Sequence, residues 1–396
     1  MIHRMLHQKL ILSATQYPVV TLTGPRQSGK TTLARAGFPN YAYVSLEDPE
    51  QRRFALEDPR GFLEQFGDNV ILDEVQRAPD LFSYIQTIVD TEDRPGRFLL
   101  TGSQNFLLLK TISQSLAGRC AIHHLLPFTF GELMAWSETP PENFHSAPIR
   151  EAPPRNLFET LHTGFYPRIH DKGLDAQDWL ANYSQTYLER DVRDLLNVGD
   201  LETFRRFMSL CAGRTGQLLN LSSLSADCGI THTTARRWLS VLETSFIIRL
   251  LRPHHRNFNK RIIKSPKLYF LDTGLLCHLL NIRSPDDLSL HPFRGAVFES
   301  FVVSEWTKRY MHLGRRPPLY FWRDTSGNEV DVIIEQGQRL IPVEIKSGKT
   351  VAPDFFKGLL HWRKLSGEPE APGGLIYGGD RSFQQHGFSV RSWWNL

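Results

Sequence analysis

The sequence predicts an α/β protein whose first part is a parallel sheet covered by helices on both faces. Three observations predict it: a glycine-rich phosphate loop set between a strand and a helix, an apolar run ending in two acids, and short apolar runs alternating with helical patterns. The loop is Gly24-Pro25-Arg26-Gln27-Ser28-Gly29-Lys30-Thr31-Thr32, directly behind the apolar run Tyr17–Thr23. It fits G-x-x-x-x-G-K-[ST] in every required position. Gly24 and Gly29 let backbone N–H groups point at phosphate oxygens, Lys30 can reach the β- and γ-phosphates, and the Thr31 hydroxyl can ligate Mg²⁺. The following residues, from Thr32 to Ala36, read as a helix whose positive end adds to anion binding. ATP and Mg²⁺ are the expected cofactors.

Asn69-Val-Ile-Leu-Asp-Glu74 is the apolar run ending in two acids. Downstream of a phosphate loop, Asp73 is expected in the Mg²⁺ shell and Glu74 as the group that polarises the attacking water. Strands are expected at Tyr41–Ser45, Val70–Leu72, Arg97–Thr101 and Ala121–Leu126, and a helix at Leu81–Val89. Ligands of such sheets bind beyond the carboxyl ends of the strands. At the tip of Leu99-Leu-Thr-Gly-Ser-Gln104, on a strand beside the phosphate-binding one, Ser103 and Gln104 are candidates to hydrogen-bond the γ-phosphate or the water. The alternative is a plain glycine-containing turn. In Ser115-Leu-Ala-Gly-Arg119, Arg119 is either an arginine offered to a neighbouring subunit's γ-phosphate or a surface arginine behind a helix-capping Gly118.

GPRQSGKTT, VILDEVQR, LLTGSQ and SLAGR, in this order, resemble the AAA+ ATPases of bacteria and archaea whose loop reads GPRQxGKTT. The resemblance covers nearly the whole chain. It implies an AAA+ core with Ser103 and Gln104 in the sensor region, Arg119 as a trans arginine, and a C-terminal domain of unknown function. The family's helical lid has a Gly-Phe/Tyr-Pro turn and a Tyr-x-x-x-Asp-x-Arg helix, matched here by Thr163–Arg168 and Tyr187–Arg193. A lid arginine on ATP, Arg168 or Arg190, is left unassigned.

At 396 residues, with 41% hydrophobic and 22% charged residues, the chain has room for two or three globular domains. No apolar run approaches bilayer length, so no membrane partner is expected. The N-terminus lacks a sustained apolar core and a clean cleavage site, and reads as an amphipathic helix packed on the ATPase. Four isolated cysteines (Cys120, Cys211, Cys228, Cys277) lack metal-ligand spacing and suit reduced thiols in a cytoplasmic protein. Five prolines between Glu138 and Pro154 mark a connection. The expected modules are a core at 1–135, lid and linker at 136–200, a winged-helix module at 201–275 and a nuclease-like α/β domain at 276–396.

The net charge of +4 is unevenly placed. Cys228–Leu271 holds nine Lys/Arg against one acid, Glu243, for a local +8 that leaves the remainder at −4. Such a segment is the footprint of a polyanion partner, here DNA. Leu221–Cys228 reads as a short helix stopped by Gly229, and Thr231 as the N-cap of a helix running to Glu243. Trp238, Leu239 and Leu242 face inward, while Thr233, Thr234, Arg236 and Arg237 lie outward. Two β runs follow, Phe246–Leu251 and Lys267–Leu271. The order matches a winged helix. Arg236, Arg237, Arg256, Lys260 and Arg261 are the phosphate-contact candidates; packing or protein contact is the alternative use of such modules.

In the last third, Gly327-Asn-Glu-Val-Asp331 leads one strand and Leu340-Ile-Pro-Val-Glu344-Ile-Lys346 forms another. Alternation puts Glu344 and Lys346 on one face, and across a hairpin Asp331 can meet Glu344. A helix upstream can add Glu299. Hard carboxylate oxygens suit Mg²⁺ or Mn²⁺, with Lys346 near the attacking water or the scissile phosphate. The arrangement resembles the PD-(D/E)xK nuclease fold, which serves either as a catalytic centre or as a DNA-binding or assembly platform. The expected function is an ATPase, working as a ring of identical subunits, that moves or remodels duplex or branched DNA. A nucleotide-dependent regulatory or defence switch and an ATP-gated, metal-dependent nuclease are the rivals.

Overall fold

A computed structural model of the chain describes residues 2–67, 69–103, 115–188, 201–254, 264–367 and 372–396. It divides into two compact units. The first is Met1–Phe128 with Thr244–Phe246 and Met311–Arg315, and the second is Thr129–Glu243, Ile247–Tyr310 and Arg316–Leu396.

The first unit contains helices α1 (Leu6–Ala14), α2 (Lys30–Gly37), α3 (Pro49–Glu57), α4 (Pro59–Glu64) and α5 (Leu81–Thr91). Its strands are β1 (Val19–Gly24), β2 (Ala42–Ser45), β3 (Val70–Asp73), β4 (Phe98–Ser103) and β5 (Cys120–His124). The strands form one sheet in the order β2-β3-β4-β1-β5, every pair parallel. The strand carrying the phosphate loop therefore lies between β4 and β5, and β4 separates it from the strand that ends in Asp73.

Period-two alternation divides the apolar residues between the two faces. Val19, Val70, Leu72, Phe98 and Leu100 pack with Leu81, Phe82 and Ile85 of α5 on one side. Val20, Leu22, Ile71 and Leu99 pack on the other with Leu33 of α2 and with Leu6 and Leu10 of α1. The N-terminal segment thus packs as an amphipathic helix, with Ile11 and Leu12 turned outward.

The second unit contains eleven further helices among the described residues. They are α6 (Phe130–Leu133), α7 (Leu157–Thr163), α8 (Pro167–Lys172), α9 (Ala176–Tyr183), α10 (Leu201–Ala212), α11 (Leu221–Cys228), α12 (His232–Thr244), α13 (Thr273–Leu279), α14 (Pro285–Leu290), α15 (Arg294–His312) and α16 (Lys357–Ser366). Gly229 ends α11 in a left-handed conformation, and the Thr231 hydroxyl accepts from Thr234 N at 3.1 Å at the start of α12. Such a cap is worth about 1 kcal/mol. Trp238 of α12 packs edge-on against Phe204 and Phe207 of α10, while Arg236 and Arg237 are exposed.

Strands β6 (Ile248–Pro253), β7 (Lys267–Phe270), β8 (Leu319–Arg323), β9 (Glu329–Gln336), β10 (Arg339–Lys346), β11 (Gly374–Tyr377), β12 (Phe383–Gln385) and β13 (Phe388–Ser392) form a mixed sheet. Its order is β12-β13-β11-β10-β9-β8-β6-β7. β6 starts two residues later than the apolar run suggests, because Phe246 takes a left-handed φ of 56° and turns the chain out of α12. β6 pairs antiparallel with β7 and parallel with β8, matching Arg252 to Tyr320. One sheet therefore runs through the segments assigned to a winged-helix module and to a nuclease-like domain.

None of the four cysteines forms a disulfide, and Cys211, Cys228 and Cys277 are buried. Among the described residues no helix is long and apolar enough to cross a membrane.

Candidate functional site

The phosphate loop connects β1 to α2 and is shaped by two glycines. Gly24 has φ 149°, and a Cβ there would lie 2.1 Å from the carbonyl oxygen of Leu125. Gly29 has φ 91° and caps α2, which leaves the first N–H groups of that helix available to an anion. Lys30 is buried and donates to the carbonyl oxygens of Gly24 (3.1 Å) and Pro25 (2.8 Å). Ser28 Oγ also donates to Pro25 at 2.8 Å. Gln27 stands at φ 57° with its side chain exposed; Thr32 is exposed, and Arg26 half-buried.

Asp73 ends β3 facing the start of α2. Thr31 Oγ1 donates to one carboxylate oxygen at 3.0 Å, and Tyr43 of β2 donates to the same oxygen at 2.9 Å. Thr101 of β4 donates to the other. Burial first, and then the Asp73 charge, push the Tyr43 phenol up to about 12. A hydroxyl and a carboxylate at this spacing beside an anion cradle are the protein donors that a nucleotide-bound Mg²⁺ uses. The residues fit that ion. Glu74 follows in a left-handed conformation, φ 55°, and accepts from the Gln76 amide. Ser103 ends β4 in register with Gly24 of β1, and Gln104 lies outside the described residues. Arg119 makes a two-pronged ion pair with Asp90 of α5.

A second concentration of charge lies in the mixed sheet. The β9–β10 hairpin brings Asp331 against Glu344. Lys346 Nζ donates to Asp331 at 2.9 Å and to Glu344 at 2.7 Å. Glu299 of α15 instead accepts from Lys267 Nζ at 3.1 Å and from the Tyr269 hydroxyl. Lys267 also pairs with Glu329 and stands 4.0 Å from Asp331. Burial opposes charge on Lys267, but Glu299 foremost among its carboxylate neighbours holds its ammonium well above the usual lysine range. Burial likewise opposes ionisation of Asp331, yet Lys346 and Lys267 hold that carboxyl well below its usual value. Glu344 is driven the other way, by burial and by Asp331.

Among the described residues no three His, Cys, Asp or Glu side chains are gathered closely enough to hold a metal. Each carboxylate of the expected nuclease set already has an ammonium or phenol donor. As arranged, the residues do not fit a divalent cation.

The basic segment is less of a surface than its composition suggests. Arg236, Arg237, Arg252 and Lys264 are exposed, whereas Lys267 is buried in the cluster above. Arg249 donates to Pro317 O at 3.3 Å, and burial pulls its guanidinium down to about 10. Arg256, Lys260 and Arg261 lie outside the described residues, as does Arg190. Arg168 is exposed.

Residues 16–134 match the family described as AAA domain. Residues 154–286 and 294–396 match two domains of unknown function, DUF8612 and DUF4143. The chain is 34% identical over 345 residues to the uncharacterized protein Rv2008c of Mycobacterium tuberculosis, covering 86% of this chain and 73% of that one. It belongs to the same family as that protein. The uncharacterized protein Mb2031c of Mycobacterium bovis matches with the same figures. Among solved structures, the Walker-type ATPase paby2304 of Pyrococcus abyssi is similar over 69% of this chain and 94% of that one, at 17% identity and a TM-score of 0.36. The first unit of this family member is an AAA-type P-loop ATPase domain.

Three residues around its phosphate loop escape a motif reading. Tyr43 and Thr101 are the additional donors to Asp73. Arg4, buried ahead of α1, donates to Ser28 O at 2.9 Å and to Leu126 O at 2.6 Å, with its guanidinium 4.6 Å from the Phe128 ring centre. Thr101 had a signal, being a polar residue in an apolar strand near its carboxyl end. Arg4 had none.

Proposed function

We propose that the chain hydrolyses ATP at the loop of its first unit and uses the cycle to move or remodel DNA engaged by its second. The observation that carries the reading is the convergence of Lys30, Thr31, Asp73 and Glu74 at the carboxyl ends of β1 and β3. The loop N–H groups from Gly24 to Thr32 receive the phosphates. Lys30 exchanges its carbonyl partners for β- and γ-phosphate oxygens. Thr31 and Asp73 would hold Mg²⁺, which would neutralise charge on the phosphates when bound. Glu74 leaves the Gln76 amide to orient the attacking water. Ser103 and Gln104 are assigned to the γ-phosphate side. Arg119, released from Asp90, is assigned to the neighbouring subunit's nucleotide in a ring.

The DNA part rests on the order α10-α11-α12-β6-β7, which reads as a winged helix with Arg236 and Arg237 exposed on its second helix-turn-helix element. Asp331 and Glu344-x-Lys346, on neighbouring antiparallel strands, support a nuclease-like sheet acting as a platform for the same DNA. The test is ATP turnover with and without linear and four-way-junction DNA. Stimulation by DNA is expected. Slow turnover indifferent to both substrates would replace this reading with a nucleotide switch.

A further inference from the structure

We propose that the Lys267 ammonium takes the place of a divalent cation in the mixed sheet, so that this centre is built from ion pairs and holds no resident metal. The inference concerns the second unit alone and is independent of ATP hydrolysis in the first.

Three carboxylates from two elements surround one point: Glu299 from α15, and Glu329 and Asp331 from β9. That point is occupied by Lys267 Nζ, delivered from β7, at 3.1 Å from Glu299, paired with Glu329 and 4.0 Å from Asp331. The lysine side chain is only 4% exposed, so it is not a surface group folded in by chance. Hard cations draw carboxylate oxygens in to roughly 2.0–2.6 Å. Here the ammonium takes Glu299 at hydrogen-bond distance and Asp331 only at ion-pair distance, and no three acidic side chains among the described residues approach metal-binding spacing. Lys346 completes the arrangement by bridging Asp331 and Glu344, and the Tyr269 hydroxyl takes part of Glu299. Two ammonium groups, with the Arg323 guanidinium donating to Glu329 at 2.7 Å, thus serve four carboxyls, and an incoming ion would have to displace a buried, paired lysine.

Mn²⁺ is counted on the full-length chain by electron paramagnetic resonance, without nucleotide, in an Asp73→Asn background that removes the phosphate-loop carboxylate. With Lys267 in place no stoichiometric Mn²⁺ is expected. Lys267→Met, which keeps the stem and deletes the charge, should gain one equivalent, and adding Asp331→Asn should remove it again. A folded Lys267→Met chain that gains nothing overturns the proposal. So does stoichiometric Mn²⁺ on the Lys267 chain that disappears with Asp331→Asn. Should Lys267→Met fail to fold, that last comparison decides alone: an Asp331-dependent ion overturns the proposal and none upholds it. ATP turnover is not read here, so either result leaves the hydrolysis reading where it stands.

Discussion

Asp73 accepts from Thr31, Tyr43 and Thr101 at once, and the roles of its neighbours can be separated one side chain at a time. Lys30→Ala is expected to abolish ATP binding, because it removes the charge that compensates the phosphates. Glu74→Gln should bind ATP normally and fail to turn it over; a fluorescent nucleotide titration beside a phosphate-release assay distinguishes the two, and normal turnover by Glu74→Gln would place the base elsewhere. Arg4 is a positioning residue that fixes the loop through Ser28 O. Arg4→Met loses both of its hydrogen bonds, and the one to the loop, at roughly 1.5 kcal/mol, should by itself raise KM for ATP about tenfold. kcat should hardly move, and Arg4→Lys should recover part of the loss. A fall in kcat at constant KM would contradict a role in nucleotide binding. Lys30, Thr31, Asp73 and Glu74 were legible in the sequence because a local pattern carries them. Arg4 was not, because its acceptors are main-chain carbonyls 24 and 122 residues away, and a carbonyl oxygen leaves no mark on residue identity.

Helix α12 presents Arg236 and Arg237 while burying Trp238, Leu239 and Leu242. Reversing both arginines to Glu should weaken binding to unrelated DNA sequences alike and flatten the dependence of affinity on salt, since phosphate contacts act by releasing counterions. Unchanged affinity and salt slope would mean that the helix faces something other than DNA. The helix itself was readable from its cap and its periodicity. The charge count misled in part, because composition cannot tell an exposed arginine from Lys267 or Arg249 drawn inside. Strand β5 offers a different test. His123 hydrogen-bonds Ser13 of α1 at 2.8 Å, and burial, with Lys9 adding to it, pulls its imidazole down to about 4. The unfolded chain therefore takes up this proton below about pH 6.5 while the folded chain does not. His123 contributes its full stability above that pH and loses it as the pH falls towards 4, a difference of about 3 kcal/mol. Thermal melts across this range should fall less steeply for His123→Gln. Equal slopes would exclude His123 as a source.

Across the whole molecule, the parallel sheet was legible because its strands are short apolar runs that alternate with helical patterns, β1 and β3 being buried on both faces. In the mixed sheet the β9–β10 hairpin was legible, whereas the joining of β6 to β8 was not, because it is set by contacts such as Arg252 with Tyr320 that no local pattern encodes. Assembly is tested by mixing. Arg119→Ala should lower turnover, by about 10³-fold or more if the arginine acts in trans, with little loss of nucleotide affinity. Arg119→Ala and Glu74→Gln chains together should regain part of the activity, and no regain at any ratio in intact assemblies would count against a shared site.

The pairing of β6 with β8 also has a consequence during synthesis. When residues up to Phe270 have emerged from the ribosome, β6 has β7 on one edge, while the other still lacks β8, whose residues are Leu319–Arg323. Lys267 at that moment also lacks Glu299, Glu329 and Asp331. An unpaired strand edge beside an uncompensated charge invites wrong partners. A nascent chain arrested after residue 290 should therefore be bound by chaperones and resist compaction. Release past residue 346 should let β8, β9 and β10 add to the waiting edge of β6, with β11 and β13 still to follow.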